Sequence, residues 1–292
     1  MPVKHREQGT LAGSTVFVTG ASRGIGSAVA RRVHAAGAQV GLVARSAHDL
    51  EVLAGSLGAG VATATADVSD RAALQAAVVS LTTSLGEADV LVNNAGIGAY
   101  RSVLEEDADT FERLMAVNYF GTVYATRAVL PAMARRRSGT IVNVASFAGR
   151  VGAPFEAAYS ASKFAVVGFS ESLAAEMSRS GVRVCLVNPG PVETGFTEAR
   201  GVPFQRSVPA PLDASVVADA VVAAIRTGRF EQVLPRWLRV ADLARALAPG
   251  PYRRGVARDS RREADDLARR VAMGAVTGSG EGPAGAGNGA AR

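Results

Sequence analysis

The chain has 292 residues, 48% hydrophobic and 20% charged, a composition that fills one large α/β domain or two ordinary ones and excludes disorder of the whole. One cysteine, Cys185, excludes an intrachain disulfide and the thiolate sets of zinc ribbons or iron–sulfur clusters, and His5, His34 and His48 are too widely spaced for a metal-ligand pattern. The net charge of +6 raises nucleic acid as a partner, but the surplus lies near the C-terminus and no reading motif accompanies it, so none is expected.

The first residues, MPVKHREQGT, carry no apolar stretch, and no window reaches the ~18 consecutive apolar residues of a membrane span, which predicts a soluble, cytoplasmic chain. From residue 14 to about 235, short β-branched runs alternate with helical stretches, the pattern of βαβ units around a parallel sheet. Strand 14–19 runs into TGASRGIG and a helix over 24–36. Glycines at 20, 24 and 26 leave backbone N–H groups pointing at a helix N-terminus, where the dipole favours a dinucleotide pyrophosphate. Strand 38–44 ends at Ala44, and no carboxylate follows to hold ribose hydroxyls as NAD-preferring folds commonly require. Arg45 stands there instead, and with Arg23 it predicts a charge-assisted fork on the 2′-phosphate of NADP.

A helix over 47–57, a strand over 60–66, a helix over 70–85, a strand over 88–94 and a helix over 107–134 follow. Strand 139–145 ends at Ser146, which is placed to hydrogen-bond a substrate oxygen. In the helix over 157–180, Tyr159 and Lys163 are four apart and share a face, so the ammonium lies near the phenol and favours phenolate below its ordinary pKa of about 10. Of 32 basic residues only Lys4 and Lys163 are lysines, which marks Lys163 as a place where guanidinium will not serve. Strand 182–188 holds Cys185 as a small buried hydrophobe, and a helix over 214–227 with a strand over 231–235 completes an α/β fold. The expected architecture is a Rossmann-type, doubly wound, seven-stranded parallel sheet with helices on both faces.

Residues 12 to about 235 resemble the classical short-chain dehydrogenases/reductases. The resemblance rests on TGASRGIG (19–26), Asp67 with Val68, NNAG (93–96), Ser146 with the YxxxK of Tyr159 and Lys163, and PGPVET (189–194), all in the right order. It implies that Gly20, Ser22, Arg23, Gly24, Ile25 and Gly26 hold the cofactor. Asp67 meets the adenine amino group, Val68 offers a backbone N–H, and Asn93, Ala95 and Gly96 line the adenosine side. By the same resemblance Asn118 positions a water beside Lys163 and completes a catalytic tetrad with Ser146 and Tyr159. Lys163 also binds the nicotinamide ribose, Pro189 and Gly190 close the nicotinamide pocket, and Val192 and Thr194 meet the carboxamide. Relatives of this kind are dimers or tetramers through the fourth and fifth helices.

The activity implied is NADP(H)-dependent interconversion of an alcohol and a ketone or aldehyde, with a scaffold that binds cofactor without turnover as the alternative. The stretch 196–212 reads as a lid. Its Phe196, Val202, Phe204 and Val208, together with Ile97, Val151, Phe155 and Leu212, point to a largely apolar small molecule, while Glu156, Glu193, Arg150 and Arg206 leave a polar substrate open. Residues 229–270 carry eleven Arg against six acidic residues, a solvated face or a contact for an anionic membrane surface. The amphipathic segment 236–248 is expected to dock on the domain by its apolar side in preference to a membrane. APGPYRRG reads as a breaker before a helix near 258–272, so 236–273 forms a helical extension; residues 274–292, with seven Gly in 19, are expected to be disordered.

Overall fold

The computed structural model describes residues 11–196 and 209–273. Strand β1 (Thr15–Thr19) leads to helix α1 (Gly24–Ala35), β2 (Gln39–Ala44), α2 (Ala47–Leu57), β3 (Val61–Thr65) and α3 (Arg71–Leu85). After β4 (Val90–Asn93), helix α4 (Ala108–Leu114) continues through a π-helical turn (Met115–Phe120) into α5 (Gly121–Arg135). Then come β5 (Gly139–Val144), α6 (Ala157–Met177), β6 (Val182–Pro189), the two-residue strands β7 (Val192–Glu193) and β8 (Leu212–Asp213), α7 (Ala214–Thr227) and β9 (Glu231–Leu234). Each strand of the main sheet falls within two residues of its sequence-based position, whereas the β7–β8 pair was not anticipated.

All seven main strands run parallel in the order β3-β2-β1-β4-β5-β6-β9. Because side chains alternate across a strand, Val16 and Val18 of β1 face one core with Val29 and Val33 of α1 and Val221 and Ile225 of α7, while Phe17 faces the other. That second core holds Leu91, Ile141, Leu74, Leu81, Val129 and Met133. Helices cover both faces, which is why the inner strands are apolar almost throughout. Cys185 is buried mid-strand, and burial pushes its thiol up to about 11. Strand order reverses between β1 and β4, so the loops at their C-terminal ends part and leave a crevice.

Beneath that crevice lies a buried amide chain. Asn93 Nδ2 donates to Thr126 Oγ1 (3.0 Å) and to Asn143 Oδ1 (2.9 Å), and Asn143 Nδ2 donates to Ser170 Oγ (2.8 Å). The chain ties β4 and β5 to α5 and α6. This corrects the expectation for Asn93: its side chain is spent inside the fold and does not line the adenosine side.

The C-terminal residues form a short 3₁₀ turn (Arg236–Leu238) followed by α8 (Arg239–Leu247), α9 (Pro249–Asp259) and α10 (Arg261–Ala272). The presumed breaker at 248–255 therefore starts a helix. Pro249 and Pro251 stand in its first turn, where N–H groups have no intrahelical partner in any case. Helix α8 docks as expected, but by its polar edge. Asp242 accepts from Arg150 Nη2 (2.8 Å) and Nε (3.1 Å), and Arg245 lies over the Phe164 ring at 5.3 Å while donating to the Arg150 carbonyl (2.9 Å). The expected lid residues 197–208 and the Gly-rich 274–292 lie outside the described residues.

Replacing Asn143 by Ala strips a fully buried link from the amide chain and should cost about 1–3 kcal/mol in urea unfolding. A loss under about 0.5 kcal/mol, the low end for a single hydrogen bond, would show the chain to be idle.

Candidate active site

The turn after β1 can form only with glycine. Gly20 and Gly24 hold φ of +63° and +55°, and a Cβ on Gly20 would stand 2.7 Å from the Ala95 Cα. A Cβ on Gly26 would overlap the Gly20 carbonyl and approach Asn94 Nδ2 at 2.6 Å. Asn94, which sequence reasoning passed over in favour of Asn93, stitches the turn in place by donating to the carbonyls of Thr19 and Gly20 (both 3.1 Å). Successive strand residues point to opposite sides, and the register sends Asn94 to the turn and Asn93 inward. No side chain caps the N-terminus of α1, whose N–H groups therefore remain open to an anion.

The turn opens into a cleft of about 620 Å³. Gly20, Ser22, Arg23, Gly24 and Ile25 line it from β1 and α1; Arg45, Asp67 and Val68 line it from the ends of β2 and β3; Ala95 and Gly96 come from the end of β4. Ser146, Tyr159 and Lys163 line its inner part, and Pro189, Gly190, Val192 and Thr194 come from the β6 side. Gly26 and Asn93 act from behind the wall. At the β2 end Arg45 Nη1 stands 3.8 Å from Asp67 Oδ2. Partial burial pushes the Asp67 carboxyl up, but hydrogen bonds from the Ser69 hydroxyl (2.7 Å) and N–H (2.9 Å) and the charge on Arg45 together hold it below the ordinary carboxylate range.

At the inner end, Lys163 is 4% exposed and donates to the Val144 carbonyl (3.2 Å). Its ammonium lies 5.8 Å from the centre of the Tyr159 ring, and burial pushes it down to about 8. Ser146 caps the short turn Phe147–Gly149 by accepting from the Ala148 N–H (3.1 Å). Asn118 sits in the π-helical turn and is 1% exposed; its Oδ1 accepts from the Ile97 N–H (2.8 Å), and its Nδ2 donates to the Ile97 carbonyl (3.0 Å) and Ser162 Oγ (2.9 Å). The structure thus brings Asn118 and Lys163 to the same side of Gly96, with the Asn118 amide fixing the loop after β4 and not lining the cleft.

Several substrate-side expectations change. Ile97, Val151, Phe196 and Glu156 line the cleft, with the Phe196 ring 5.8 Å from that of Tyr159. Arg150 is taken up by Asp242, Glu171 and Glu231, and Glu193 is exposed, and neither lines the cleft. Phe155 lies beside Tyr100 with ring centres 6.0 Å apart and planes tilted by 32°, and neither it nor Leu212 lines the cleft. Val202, Phe204, Arg206 and Val208 fall outside the described residues.

In their place the C-terminal helices close the cleft: Leu238, Tyr252 and Val256 line it together with Tyr100. Tyr100 Oη donates to Glu263 (3.1 Å), and Arg270 grips both oxygens of Glu105 at 3.0 and 3.2 Å, latching α10 onto the loop after β4. Tyr252 and Val256 share a helical face, but that spacing gives no signal inside a segment that reads as a breaker.

A family model described as short chain dehydrogenase matches residues 14–202. The chain is 35% identical over 268 residues to "Dehydrogenase/reductase SDR family member 7B" from Bos taurus, covering 86% of this chain and 82% of that one. It also resembles the crystal structure of a short chain dehydrogenase/reductase SDR from Burkholderia phymatum in complex with NAD, with a TM-score of 0.75, 28% identity, and coverage of 81% of this chain and 94% of that one. An alcohol dehydrogenase from Thermococcus sibiricus complexed with 5-hydroxy-NADP matches with a TM-score of 0.69 and 28% identity, covering 76% of this chain and 95% of that one.

Removing the latch by Arg270→Ala should cost about 1 kcal/mol or less of global stability, since the pair is partly exposed, but should speed amide exchange in 249–272 roughly fivefold. Unchanged exchange there would show that Arg270 holds nothing.

Proposed function

The chain belongs to the short-chain dehydrogenase/reductase family, oxidoreductases that act on CH–OH and C=O groups with NAD(P), and from that membership we propose NADP(H)-dependent interconversion of an alcohol and a ketone or aldehyde on a largely apolar small molecule. The observation that carries the reading is the buried Lys163 ammonium beside Tyr159 at the inner end of a cleft whose outer end is a glycine turn. The cradle fits a dinucleotide, because Gly20 and Gly26 leave room where any Cβ would intrude and the α1 N-terminus is uncapped. Bound cofactor supplies the hydride donor or acceptor. Everything else is the work of this chain's own groups.

Tyr159 moves the proton at the substrate oxygen, donating as phenol in reduction and accepting as phenolate in oxidation. Lys163 favours the phenolate through its charge. Ser146 donates to the same oxygen and stabilises the charge that develops on it. Asn118 is a positioning residue: its amide ties the Ile97 backbone to Ser162, the residue before Lys163 on α6. Ile97, Val151, Phe196, Leu238 and Val256 make a wall that excludes water and favours apolar substrates.

The preference for NADP rests on Arg45, since one structural neighbour carries NAD and the other an NADP derivative. Arg45 borders the cleft where no carboxylate ends β2. Its side chain is 67% exposed, so solvent reduces the fork to about 1 kcal/mol. A homodimer through the surface of the fourth and fifth sequence-based helices, here α4–α5 and α6, is supported by the exposed Phe120, which contacts Tyr119 and Tyr124 where the π-helical turn joins α5, and by Tyr119, which meets Phe169 of α6.

The test is NADPH and NADH oxidation against steroids, aromatic ketones, acyl thioesters and sugars. Turnover with NADPH on apolar ketones is expected to fall about 10²-fold or more in Tyr159→Phe, with NADPH affinity unchanged. Tight NADPH binding without turnover on any panel member would favour the scaffold reading. Arg45→Ala should weaken NADPH about fivefold and leave NADH unchanged; equal losses for both would remove the 2′-phosphate assignment.

A further inference from the structure

An amphipathic helix normally packs by its apolar stripe. Helix α8 does the opposite. Its polar edge, Asp242 and Arg245, is seated on Arg150 and Phe164. Val240, Leu243 and Leu247, at positions i, i+3 and i+7, form one line on the outward side and are 67%, 57% and 75% exposed. Trp237, in the turn that leads into the helix, is 51% exposed beside them.

The charges around this stripe have one sign. Between residues 236 and 258 the only acidic residue is Asp242, and it is spent on Arg150 at the docked edge. Against it stand six arginines, among them Arg236, Arg253 and Arg254, which are exposed and make no ion pair among the described residues. Two copies meeting through this face would bring like charges together, since the carboxylates that approach it, Asp242 and Glu231, already face Arg150 and Arg239. An apolar line flanked by arginines matches the interfacial layer of an anionic bilayer, where acyl chains receive the stripe and headgroups receive the guanidiniums. No helix among the described residues is long and apolar enough to cross a membrane, so the contact is with the surface.

We propose that the outward face of α8 seats this protein on an anionic lipid surface. The seat does not depend on the reaction assigned to the cleft, although Leu238, one residue before α8, lines that cleft.

The experiment uses the full chain with sucrose-loaded vesicles of phosphatidylcholine alone or with about one third phosphatidylserine, read by co-sedimentation and by the emission of Trp237, the chain's single tryptophan. Expected are at least tenfold stronger binding to the anionic vesicles, weakening with salt, and a blue shift of Trp237 on binding. The triple variant Val240→Ser, Leu243→Ser, Leu247→Ser keeps the charge and should lose binding at least tenfold while its thermal unfolding and NADPH binding stay unchanged. Failure of the wild-type chain to bind, or equal binding by the folded triple variant, would overturn the proposal. So would light scattering in which the wild-type chain self-associates and the triple variant is monomeric without either binding vesicles, because the face would then be an interface between copies.

Discussion

The arrangement turns on one ammonium group held out of water. Lys163 is 4% exposed, donates to a single backbone carbonyl, and has no carboxylate within ion-pair distance among the described residues. A buried cation without a counter-charge is costly, so its surroundings have to fix it by packing. Gly149 lets the strand-to-turn backbone run against α6, where a Cβ would lie 2.7 Å from the Lys163 carbonyl oxygen. Gly96 leaves room on the other side, 3.5 Å short of Nζ, and Asn118 closes that side with hydrogen bonds to Ile97 and Ser162. The π-helical turn carrying Asn118 is one of the irregularities that helices keep where a site requires them.

The sheet supplies the rest of the frame. Its order reverses between β1 and β4, the glycine turn fills the opening, and Asn94 bonds the two loops together. Below them the amide chain from Asn93 to Ser170 fixes α6 against β4 and β5, and with it the helix that bears Tyr159 and Lys163. The same residue type thus serves twice in succession, Asn93 for the scaffold and Asn94 for the site.

Local pattern made most of the fold legible. The β-branched runs gave the seven strands, the glycine spacing gave the turn, and the four-residue separation of Tyr159 and Lys163 gave their shared face, because each is decided by neighbours in sequence. Features set by distant partners were not legible. Arg150 looked available to substrate until the fold brought Asp242 to it across 92 positions. The roles of Asn93 and Asn94 depend on strand register, and the use of the Asn118 amide depends on a π turn with no sequence mark. Pro249 and Pro251 hid a helix because proline's tolerance in a first turn resembles its breaking role elsewhere. With that helix went Tyr252 and Val256, and the docked edge of α8 was inverted because Arg150 gave its polar side a partner.

Only Lys4 and Lys163 are lysines, so selective ¹³Cε labelling gives two signals, and a Lys4→Arg variant leaves one. Following the Lys163 signal with pH in the free protein tests the buried ammonium directly. A midpoint near 8 is expected, where burial holds it. A midpoint at about 10.4, the value of a solvated lysine, would contradict it and remove the charge that is taken to act on Tyr159.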